Sequence, residues 1–581
     1  MSSNRSGRSD RLSRRELLAA AGVGASVVGS GCMESVQSVV PGSGNQLSLS
    51  ISAVPDDDDR QSNGIFRTLE RNLEAVGIDV TIDLRTTHEF LRTVLLDHEF
   101  DLYVGAYTGS TDPDVLYGLL HSQFENEPGW QNPFGYTNLT LDERLEEQRQ
   151  LDGESREDAV GDVIESLVAE RPFVPICRPD EYRLVREDRF DGWADDHLSG
   201  RLGYLGLEPL ESADRLTGIV TDARPTQNLN PLAVHYRDRG AIIDLIYDSL
   251  ATRRGEELIP WLATDWEWDE RELYVTIRST SRFHDDEPLG VEDVQFTYEF
   301  LRDGSLGRAE TPVPPIRFRR AMSAITETEI VADDRLRMGF DTNETVALEA
   351  LTVPIFPEHV WRELVEELDE DRATTEGWLW DELRSDDVDR IGSGPYEFVD
   401  RTERDRLRLE RFDDHFTLQD GVDLPGPTVE ELRLLVDPGS ASAVEQVAGG
   451  RADVTFSALE SHVVDQAQDA TEGSLVENEP TSFYHVGFNC RKPPFSNPRF
   501  RRVVARLLDP QALIDEHFNG YATPISVPVD DRWVPDEPSW EGSDPVDPFY
   551  GADGEFDEEA TREAFRDAGF RYEDGRLVVN N

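Results

Sequence analysis

Lysine is almost absent from this chain of 581 residues, in which Lys492 is the only one. A phosphate-binding loop of the form G-x-x-x-x-G-K is therefore excluded. The sequence also lacks H-E-x-x-H, C-x-x-C and G-x-S-x-G, which are signatures of zinc peptidases, redox dithiols and serine hydrolases. Nothing indicates catalysis, a metal site or a cofactor, although so acidic a chain contains too many carboxylate pairs for paired-carboxylate hydrolysis to be judged by motif.

Cysteine is scarce too, since Cys32, Cys177 and Cys490 are the only three. They cannot form a disulfide framework, and buried free thiols at Cys177 and Cys490 are preferred over a single disulfide. Long apolar runs are also missing. The run from Leu17 to Val28 is too short to span a bilayer, and no later run approaches that length, which predicts a soluble body after residue 46.

The amino-terminal segment predicts export. A basic start with S-R-R-E-L-L at Ser13 to Leu18 precedes the short apolar run, and this order resembles a Tat signal. The run closes on G-S-G-C at Cys32, which resembles a lipobox although Gly29 stands where Leu or Val is usual. We predict lipidation of Cys32, with simple cleavage near Gly31 as the alternative. Residues 33–46 suit a flexible tether to the membrane.

Positive charge is in short supply, because 118 acidic residues against 57 basic ones give a formal net charge of -61. This excess excludes nucleic acid and anionic lipid surfaces as partners. In molar salt the screening length falls to about 3 Å, which removes most of the repulsion within the folded chain. The composition resembles that of a haloarchaeal protein. An aromatic content of 9% and recurring periodic apolar segments argue against disorder.

Strand and helix periods alternate along the body. Leu47 to Ala106 is predicted as strand, helix, strand, helix and strand, an order that implies parallel strands with right-handed crossovers. Further strands are predicted at Phe173 to Cys177, Val429 to Val436 and Phe483 to Phe488, whereas Leu216 to Asp423 is rich in hairpins. We predict an α/β lobe split between residues 47–173 and 429–581, and a contiguous α+β lobe at residues 174–428.

A series of short motifs follows in a fixed order from residue 228 onward. They are N-L-N-P at Asn228, I-Y-D-S-L at Ile246, P-W-L-A-T-D-W-E-W at Pro260, R-F-H-D-D-E-P at Arg282, V-E-D-V-Q-F-T-Y-E at Val291, P-I-F-P-E-H-V-W at Pro354, G-S-G-P-Y-E-F at Gly392, G-G-R-A-D-V at Gly449, and G-F-N with P-P-F at Gly487 to Phe495. In number and order these motifs resemble the family 5 extracellular solute-binding proteins, the peptide, nickel and oligosaccharide receptors of ABC importers. The resemblance implies a two-lobed, periplasmic-binding-protein type II-like α/β fold with a hinge.

The order of the parts resembles a circular permutation of that family. In the usual order, a helix with an A-G-F-like turn leads into a strand, an L-x-x-x-G-I helix and a D-L strand before a D-P turn. Here the turn at Ala568 to Phe570 stands near the end, and its continuation at Leu73 to Ile78 stands near the start. We predict a permutant joined through Gly203 to Arg215. The alternative, an unrelated domain fused to a truncated receptor, would leave half-sheets with exposed edges.

Ligands of open α/β sheets gather outside the carboxyl ends of strands. In the split lobe these ends lead into three loops, at Pro55 to Asp59, Tyr107 to Pro113 and Asn489 to Pro494. We predict that Tyr107, Ser110 and Asn489 contact the ligand, because they offer an aromatic face, a small hydroxyl and an amide. The alternatives are structural: Tyr107 packs under its loop and Asn489 satisfies loop backbone.

Two neighbouring features have simpler explanations. Asp112 before Pro113 is predicted to cap the following helix, and the acidic run Asp56 to Asp59 is predicted to be a solvated loop rather than a cation site.

The resemblance adds two expectations about the ligand. Peptide-binding members place an aspartate shortly before the D-P turn, whereas this chain has Gly109 and Ser110 there. A free-amine peptide is therefore doubtful as the solute, because neither residue can supply the charge-assisted bond. On the opposing lobe, His235 and Tyr236 follow N-L-N-P in a place that resembles the family's cleft wall, with packing as the alternative.

These observations lead to one functional hypothesis. The chain is expected to be a monomeric, lipid-tethered, extracytoplasmic receptor that captures an oligopeptide-like molecule, a sugar or a metal chelate and delivers it to an ABC permease. Closure is expected to bend the crossings near Pro172 to Arg178 and Pro425 to Val436. The alternatives are an extracytoplasmic hydrolase on the same fold and a sensor or scaffold without transport.

Overall fold

The computed structural model describes residues 45–210, 213–233, 240–470, 472–534, 544, 546–552 and 554–579. Residues Asn45–Asn581 form one compact unit. The predicted export signal, tether and lipidation site at Cys32 lie outside the described residues. Within the described ranges, no helix combines the length and the apolar character needed to cross a bilayer.

The first large sheet has six strands and combines both ends of the chain. In spatial order the strands are Ala522–Pro524, Phe173–Pro179, Ser482–Phe488, Leu102–Thr108, Ser48–Ala53 and Asp79–Leu84. The last three run parallel, which confirms the prediction for Leu47 to Ala106. Ser482–Phe488 pairs antiparallel with Leu102–Thr108 over seven residues. The early and late segments therefore share one backbone ladder.

Helices cover this sheet, and we call the sheet with these helices the split lobe. The helices before the first crossing are Arg60–Ala75, Thr87–Arg92 with a π-helical turn at Thr93–Asp97, Asp114–Leu120, Leu139–Gln148 and Gly153–Glu170. The later helices are Pro498–Ala505, Pro510–His517 and Glu558–Asp567. Their apolar faces bury Ile65, Phe66, Phe500 and Phe565 against the sheet, because each helix repeats its apolar residues at a spacing of three to four.

The second large sheet has seven strands. In spatial order they are Tyr396–Thr402, Arg406–Arg411, Glu431–Val436, Arg215–Val220, Val454–Thr455, Glu181–Val185 and Ser474–Asn478. The strand predicted at Val429 to Val436 is therefore present, but it pairs with Arg215–Val220 and Arg406–Arg411 instead of completing the split lobe. Leu432 and Leu434 are buried in the core beneath this sheet. Alternating Leu residues specify a half-buried strand without specifying which sheet it joins.

We call residues 181–478, which contain the seven-stranded sheet, the central lobe. This lobe also contains a four-stranded antiparallel sheet. Its strands are Ala263–Asp269, Glu272–Ile277, Arg335–Phe340 and Ile325–Ala332, in spatial order. The helices of this lobe are Leu202–Leu205, Ala241–Ile246, Val291–Arg302, Arg319–Met322, Glu344–Leu348, Glu358–Glu367, Glu370–Thr374, Glu376–Leu383, Ser440–Ala448 and Val464–Gln468. Small hairpins pair Ala251–Arg254 with Glu257–Pro260 and Phe190–Asp191 with Glu208–Pro209.

Two glycines of the G-S-G-P-Y motif explain a close approach in the central lobe. A Cβ atom on Gly392 would lie 2.0 Å from the Ile246 carbonyl oxygen, and one on Gly394 would lie 2.5 Å from the Leu245 carbonyl oxygen. Gly394 N donates to the Ile246 oxygen at 2.8 Å. Only glycine allows this backbone contact, which holds the motif against I-Y-D-S-L.

The chain crosses between the two large sheets twice. It leaves the six-stranded sheet at Pro179 and enters the seven-stranded sheet at Glu181; it leaves the latter at Asn478 and returns at Ser482. Asn478 pairs with Glu181 in the ladder, so the crossings lie side by side. The second crossing therefore lies at residues 478–482, not near Pro425 to Val436, because strand Glu431–Val436 stays inside the central lobe's sheet.

The two described ends of the chain are neighbours. Asn45–Gln46 pairs antiparallel with Arg576–Val579, with Asn45 opposite Val579, and Arg571–Glu573 completes this three-stranded sheet. Leu47 N donates to the Leu577 carbonyl oxygen at 2.8 Å. A small hairpin of Gly551–Ala552 and Glu555–Phe556 precedes the last helix.

Candidate ligand-binding cleft

The loops that follow the parallel strands of the six-stranded sheet lie together at the carboxyl ends of those strands. We call this side of the sheet its cleft edge, and the side at the other ends of the same strands its opposite edge. The loops at residues 54–59 and 109–113 follow Ser48–Ala53 and Leu102–Thr108, which run parallel. Thr108 is paired with Ser482, and Gly109 N donates to the Thr481 carbonyl oxygen at 3.1 Å. This edge therefore also holds the second crossing between the lobes.

The corresponding edge of the seven-stranded sheet faces it across the crossings. The parallel strands Arg215–Val220, Glu431–Val436 and Val454–Thr455 end here. Gln61 Nε2 of the split lobe donates to Ser461 Oγ of the central lobe at 3.1 Å, and both side chains are buried. We take the space between these two edges as the candidate cleft, because carboxyl-end edges are where such sheets bind ligands.

The cleft edge of the split lobe carries a half-buried carboxylate, Asp59. It caps the helix Arg60–Ala75 by accepting from Ser62 N at 2.9 Å and Ser62 Oγ at 2.6 Å, and Tyr484 OH donates to it at 3.1 Å. Burial raises the pKa of the Asp59 carboxyl, against hydrogen bonds from Ser62 and Tyr484 that favour its ionised form. The cap thus fixes a carboxylate at the cleft.

Glu460 brings a second carboxylate from the central lobe. Burial raises the pKa of Glu460, His462 and Arg60 lower it, and the carboxylates Asp59 and Asp56 raise it further. Carboxylates that repel one another are relieved when a cation approaches. This part of the cleft therefore gathers carboxylates, and His462 Nδ1 lies 3.2 Å from Glu460 Oε2. In the described part of the chain, no group of three or more His, Cys, Asp or Glu side chains is placed to hold a metal ion.

Tyr107 and Ser110 lie together at this edge. The half-buried ring of Tyr107 packs edge-on against Trp130, with centroids 5.3 Å apart, and packs at a 45° tilt against Phe483, with centroids 5.5 Å apart. A Cβ on Gly109 would lie 2.3 Å from the Tyr107 ring, so the loop backbone passes directly beside it. Ser110 Oγ accepts from Asp112 N at 3.1 Å. Both residues thus have the structural contacts of the alternative explanation, and their contact with ligand stays a prediction.

Asn489 lies at the opposite edge of the sheet. Because Ser482–Phe488 runs antiparallel to Leu102–Thr108, its carboxyl end is paired with Leu102. Asn489 is 2% exposed, and its Nδ2 donates to the carbonyl oxygens of His98 at 3.1 Å and Phe100 at 2.9 Å. The structure therefore does not bring Asn489 together with Tyr107 and Ser110, which corrects the expectation that the three loops converge.

The other residues singled out from the sequence have the following places in the structure. His235 and Tyr236 lie outside the described residues. The N-L-N-P turn before them has a structural role, because Asn230 Nδ2 donates to the carbonyl oxygens of Leu383 at 2.9 Å and Ser385 at 2.7 Å. Asp112 Oδ1 accepts from Asp114 N, the first N–H of the helix Asp114–Leu120, at 2.8 Å, although Pro113 and not Asp112 occupies the N-cap position. Cys177 and Cys490 are both free thiols.

Sequence reasoning missed a polar contact between the lobes that lies outside the cleft. Buried Asp114 of the split lobe pairs with Arg149 at 2.7 Å in its own lobe and with Arg320 of the central lobe at 2.5 Å. Beside it, Glu127 and Arg319 form two hydrogen bonds of 2.8 Å. We call these two pairs, with Arg149, the interlobe contact. Residues 114 and 320 are too far apart in sequence for any spacing rule to connect them.

The family model described as "Bacterial extracellular solute-binding proteins, family 5 Middle" matches residues 257–580, more than half of the chain. The chain belongs to family 5 of the bacterial extracellular solute-binding proteins. It is 24% identical over 298 residues to a Brucella ovis protein described as an ABC transporter peptide-binding protein, with 50% of each chain covered. It is 21% identical over 311 residues to the oligopeptide-binding protein AppA of Bacillus subtilis, covering 53% of this chain and 50% of AppA. The chain thus spans about half the length of the curated relatives it matches.

Solved structures of similar proteins were also found. AppA of Bacillus subtilis in complex with a nonapeptide matches with a TM-score of 0.45 and 15% identity, over 62% of this chain and 67% of AppA. NikZ of Campylobacter jejuni in complex with Ni(L-His) matches with a TM-score of 0.43 and 14% identity, over 63% and 66%.

Proposed function

We propose that the protein is the extracytoplasmic solute-binding receptor of an ABC importer, which captures a small solute between its lobes and delivers it to the permease. Membership of the solute-binding family carries this proposal. The architecture supports it, because two sheets present their ligand-binding edges to each other and are joined by two adjacent crossings. Such a connection permits hinge closure over a bound molecule.

The hinge of this proposal lies at residues 179–181 and 478–482. Thr481 Oγ1 donates to Glu181 Oε2 at 3.1 Å, and Arg183 Nη1 donates to Asn478 Oδ1 at 3.1 Å. These bonds tie the crossings to each other, so they bend together. A solute between the edges contacts both lobes and stabilises the closed arrangement in proportion to its preference for it.

The sequence supports three further parts of the proposal. The S-R-R-E-L-L segment and the short apolar run suit Tat export, and Cys32 suits a lipid anchor at the outer face of the membrane. The net charge of -61 suits a protein that works in molar salt, as haloarchaeal proteins do. The solute is of the oligopeptide, sugar or metal-chelate type, and the carboxylates at Asp59 and Glu460 favour one with a positive group.

Receptor function predicts that the purified protein binds an intact small molecule. We expect mass spectrometry of protein prepared in molar salt to detect a cationic solute, and calorimetry with that solute to give a single-site isotherm. Glu460→Gln should weaken binding at least tenfold, because a charge-assisted hydrogen bond contributes about 1.5–3 kcal/mol. Glu267→Gln, in the exposed four-stranded sheet, is the control and should bind as the unmodified protein does. Conversion of the solute into a product would instead establish a hydrolase.

We also propose that the chain is a circular permutant of its family. The neighbouring ends support this, because Asn45 and Val579 are opposite each other in one ladder, as family order requires if the chain once ran from residue 579 into residue 45. The shared six-stranded sheet supports it as well, since residues 48–108 and 482–524 complete one lobe. Old termini that lie close together are what permutation needs.

Restoring the family order tests the permutation. A chain that runs from residue 213 to 579, through a short Gly/Ser linker, and from residue 45 to 212 should fold with an unfolding free energy within about 1 kcal/mol of the natural order. A matched chain opened inside the strand Arg215–Val220, between Ile219 and Val220, should not fold, because it interrupts the parallel ladder. Equal failure of both reordered chains would contradict the proposal. Urea unfolding followed by tryptophan fluorescence gives the comparison.

A further inference from the structure

A second pocket, open to solvent on one side, lies away from the cleft, between the split lobe and the helical part of the central lobe. Its volume is about 290 Å³, and it shares no residue with the cleft edges. Glu127 and Gln131 of the split lobe form one side, and Arg302, Ile316 and Trp380 of the central lobe are on the other. At about 30 Å³ for each water, the space corresponds to about ten waters, or one molecule of about ten non-hydrogen atoms.

Hydrogen bonds hold the apolar wall of this cavity. Trp380 Nε1 donates to the Pro314 carbonyl oxygen at 3.0 Å, which fixes the indole beside the prolines that line the space. From the other lobe, Gln131 Nε2 donates to the Ile316 carbonyl oxygen at 3.1 Å. The wall is therefore held in place before any occupant arrives, and a fixed aromatic face suits a hydrocarbon or a cationic group.

Of the charged residues that line the cavity, one acidic and one basic side chain form no ion pair within the described part of the chain and are available to bind a ligand. Glu127 and Arg319 neutralise each other through their paired hydrogen bonds. Two charged residues remain, Glu376 and Arg302, and among the described residues neither forms an ion pair. Arg302 Nη2 donates to the Thr326 carbonyl oxygen at 3.0 Å, so most of its N–H groups are still free to bind an anion. Burial and the neighbouring Glu127 raise the pKa of Glu376 more than Arg319 lowers it, and a cation placed against Glu376 itself would lower its pKa further.

We propose that this cavity binds a small zwitterion of the amino-acid type. The ammonium group lies against Glu376 and the face of Trp380, the carboxylate accepts from Arg302, and an apolar side chain packs on Ile316 and the prolines. A free amino acid with a branched aliphatic side chain has the right size. Because the walls come from both lobes, the occupant also stabilises the interlobe contact beside it. This site is separate from the cleft, and its occupation does not depend on the proposed receptor function.

Calorimetry with L-leucine in about 1 M salt tests the proposal, and two leucine analogues test the charge pattern. Leucinamide lacks the carboxylate and 4-methylpentanoate lacks the ammonium, so each should bind at least tenfold more weakly than leucine, a loss of about 1.4 kcal/mol. Equal binding of leucine and either analogue would contradict the zwitterion assignment.

Variants of one helix locate the binding. Trp380→Ala and Glu376→Gln should each weaken leucine binding at least tenfold. Trp378→Ala is the matched control, because Trp378 is on the same helix, is 54% exposed and does not line the cavity. Glu376 is exposed, so its variant keeps the fold even if Trp380→Ala does not. Absence of leucine binding to the unmodified protein, or its loss in Glu460→Gln with retention in Glu376→Gln, would overturn the proposal; the second result would place the amino acid in the cleft.

Discussion

Replacing Asp248 with asparagine is expected to lower the free energy of unfolding by about 3–5 kcal/mol, because it breaks a fully buried ion pair on one side only. Asp248 is 0% exposed, and its Oδ1 accepts from Trp261 Nε1 at 2.7 Å and Arg201 Nη1 at 3.0 Å. His415 Nε2 lies 3.3 Å from the same oxygen. The neutral amide would leave the guanidinium of Arg201, which is 2% exposed, without its countercharge in the core.

The same carboxylate makes stability depend on pH. Burial alone raises the pKa of Asp248, but His415 and Arg201 outweigh burial and hold the pKa below its ordinary value of 3.8. A depressed pKa means that the stabilisation is present above 3.8 and is lost as the pH falls through the folded-state value. The difference between Asp248→Asn and the unmodified protein should therefore shrink in acid.

Urea unfolding at fixed molar salt measures both effects. Asp413→Asn is the control, because Asp413 also pairs with an arginine, Arg411, but its side chain is 79% exposed. Exposed pairs contribute about 0–1 kcal/mol, so this variant should unfold close to the unmodified protein. A cost of less than about 1 kcal/mol for Asp248→Asn would show that the buried network does not stabilise the central lobe.

The second large effect is expected for Asp114→Asn at the interlobe contact. The Asp114 side chain is 2% exposed and lies between Arg149, which is 4% exposed, and Arg320, which belongs to the other lobe. Removing the carboxylate leaves a buried guanidinium without its countercharge. We therefore expect the free energy of unfolding to fall by about 3–5 kcal/mol. Burial raises the pKa of Asp114, but Arg149 and Arg320 outweigh burial and lower the pKa. The contact should accordingly weaken as the pH falls below 3.8.

This variant has a readout beyond stability. Because Arg320 reaches Asp114 from the other lobe, losing the charge should shift the molecule towards lobe separation, which small-angle scattering detects as a larger radius of gyration. Glu327→Gln is the control, since Glu327 pairs with Arg337 within the central lobe and its side chain is 61% exposed. An unchanged radius together with an unchanged unfolding midpoint would mean that the interlobe contact does not restrain the lobes.

Local periodicity was sufficient to predict most individual elements. The strands predicted at Phe173 to Cys177 and Phe483 to Phe488 are found at Phe173–Pro179 and Ser482–Phe488. The hairpins predicted for Leu216 to Asp423 include the one formed by Ala263–Asp269 and Glu272–Ile277. The parallel arrangement of the first three strands followed from their connecting helices. These features depend on residues near one another in the chain, which is what a sequence pattern records.

Pairing between distant strands was not predictable in the same way. The pattern at Glu431–Val436 identified a strand but not its partners, and the pattern at Ser482–Phe488 did not reveal that this strand runs antiparallel to Leu102–Thr108. The antiparallel direction of Ser482–Phe488 determines which residues can line the cleft. It places Asn489 at the opposite edge of the sheet, whereas Tyr107 and Ser110 lie at the cleft edge. Asp59 was predicted only as part of a solvated loop, and Glu460 was not singled out, for a related reason: in an acidic chain, only burial and mutual proximity distinguish a carboxylate.

The hydrogen-bonded meeting of residues 45 and 579 makes the described backbone almost a closed ring. A ring has no inherent first residue, so the position at which synthesis starts affects the unfolded chain and the order of folding more than the finished contacts. Pairs such as Thr108 with Ser482 are less than half as far apart in sequence when the ring is counted through this junction. A head-to-tail cyclised form could accordingly keep every ladder described above while its unfolded state loses the freedom of two loose ends.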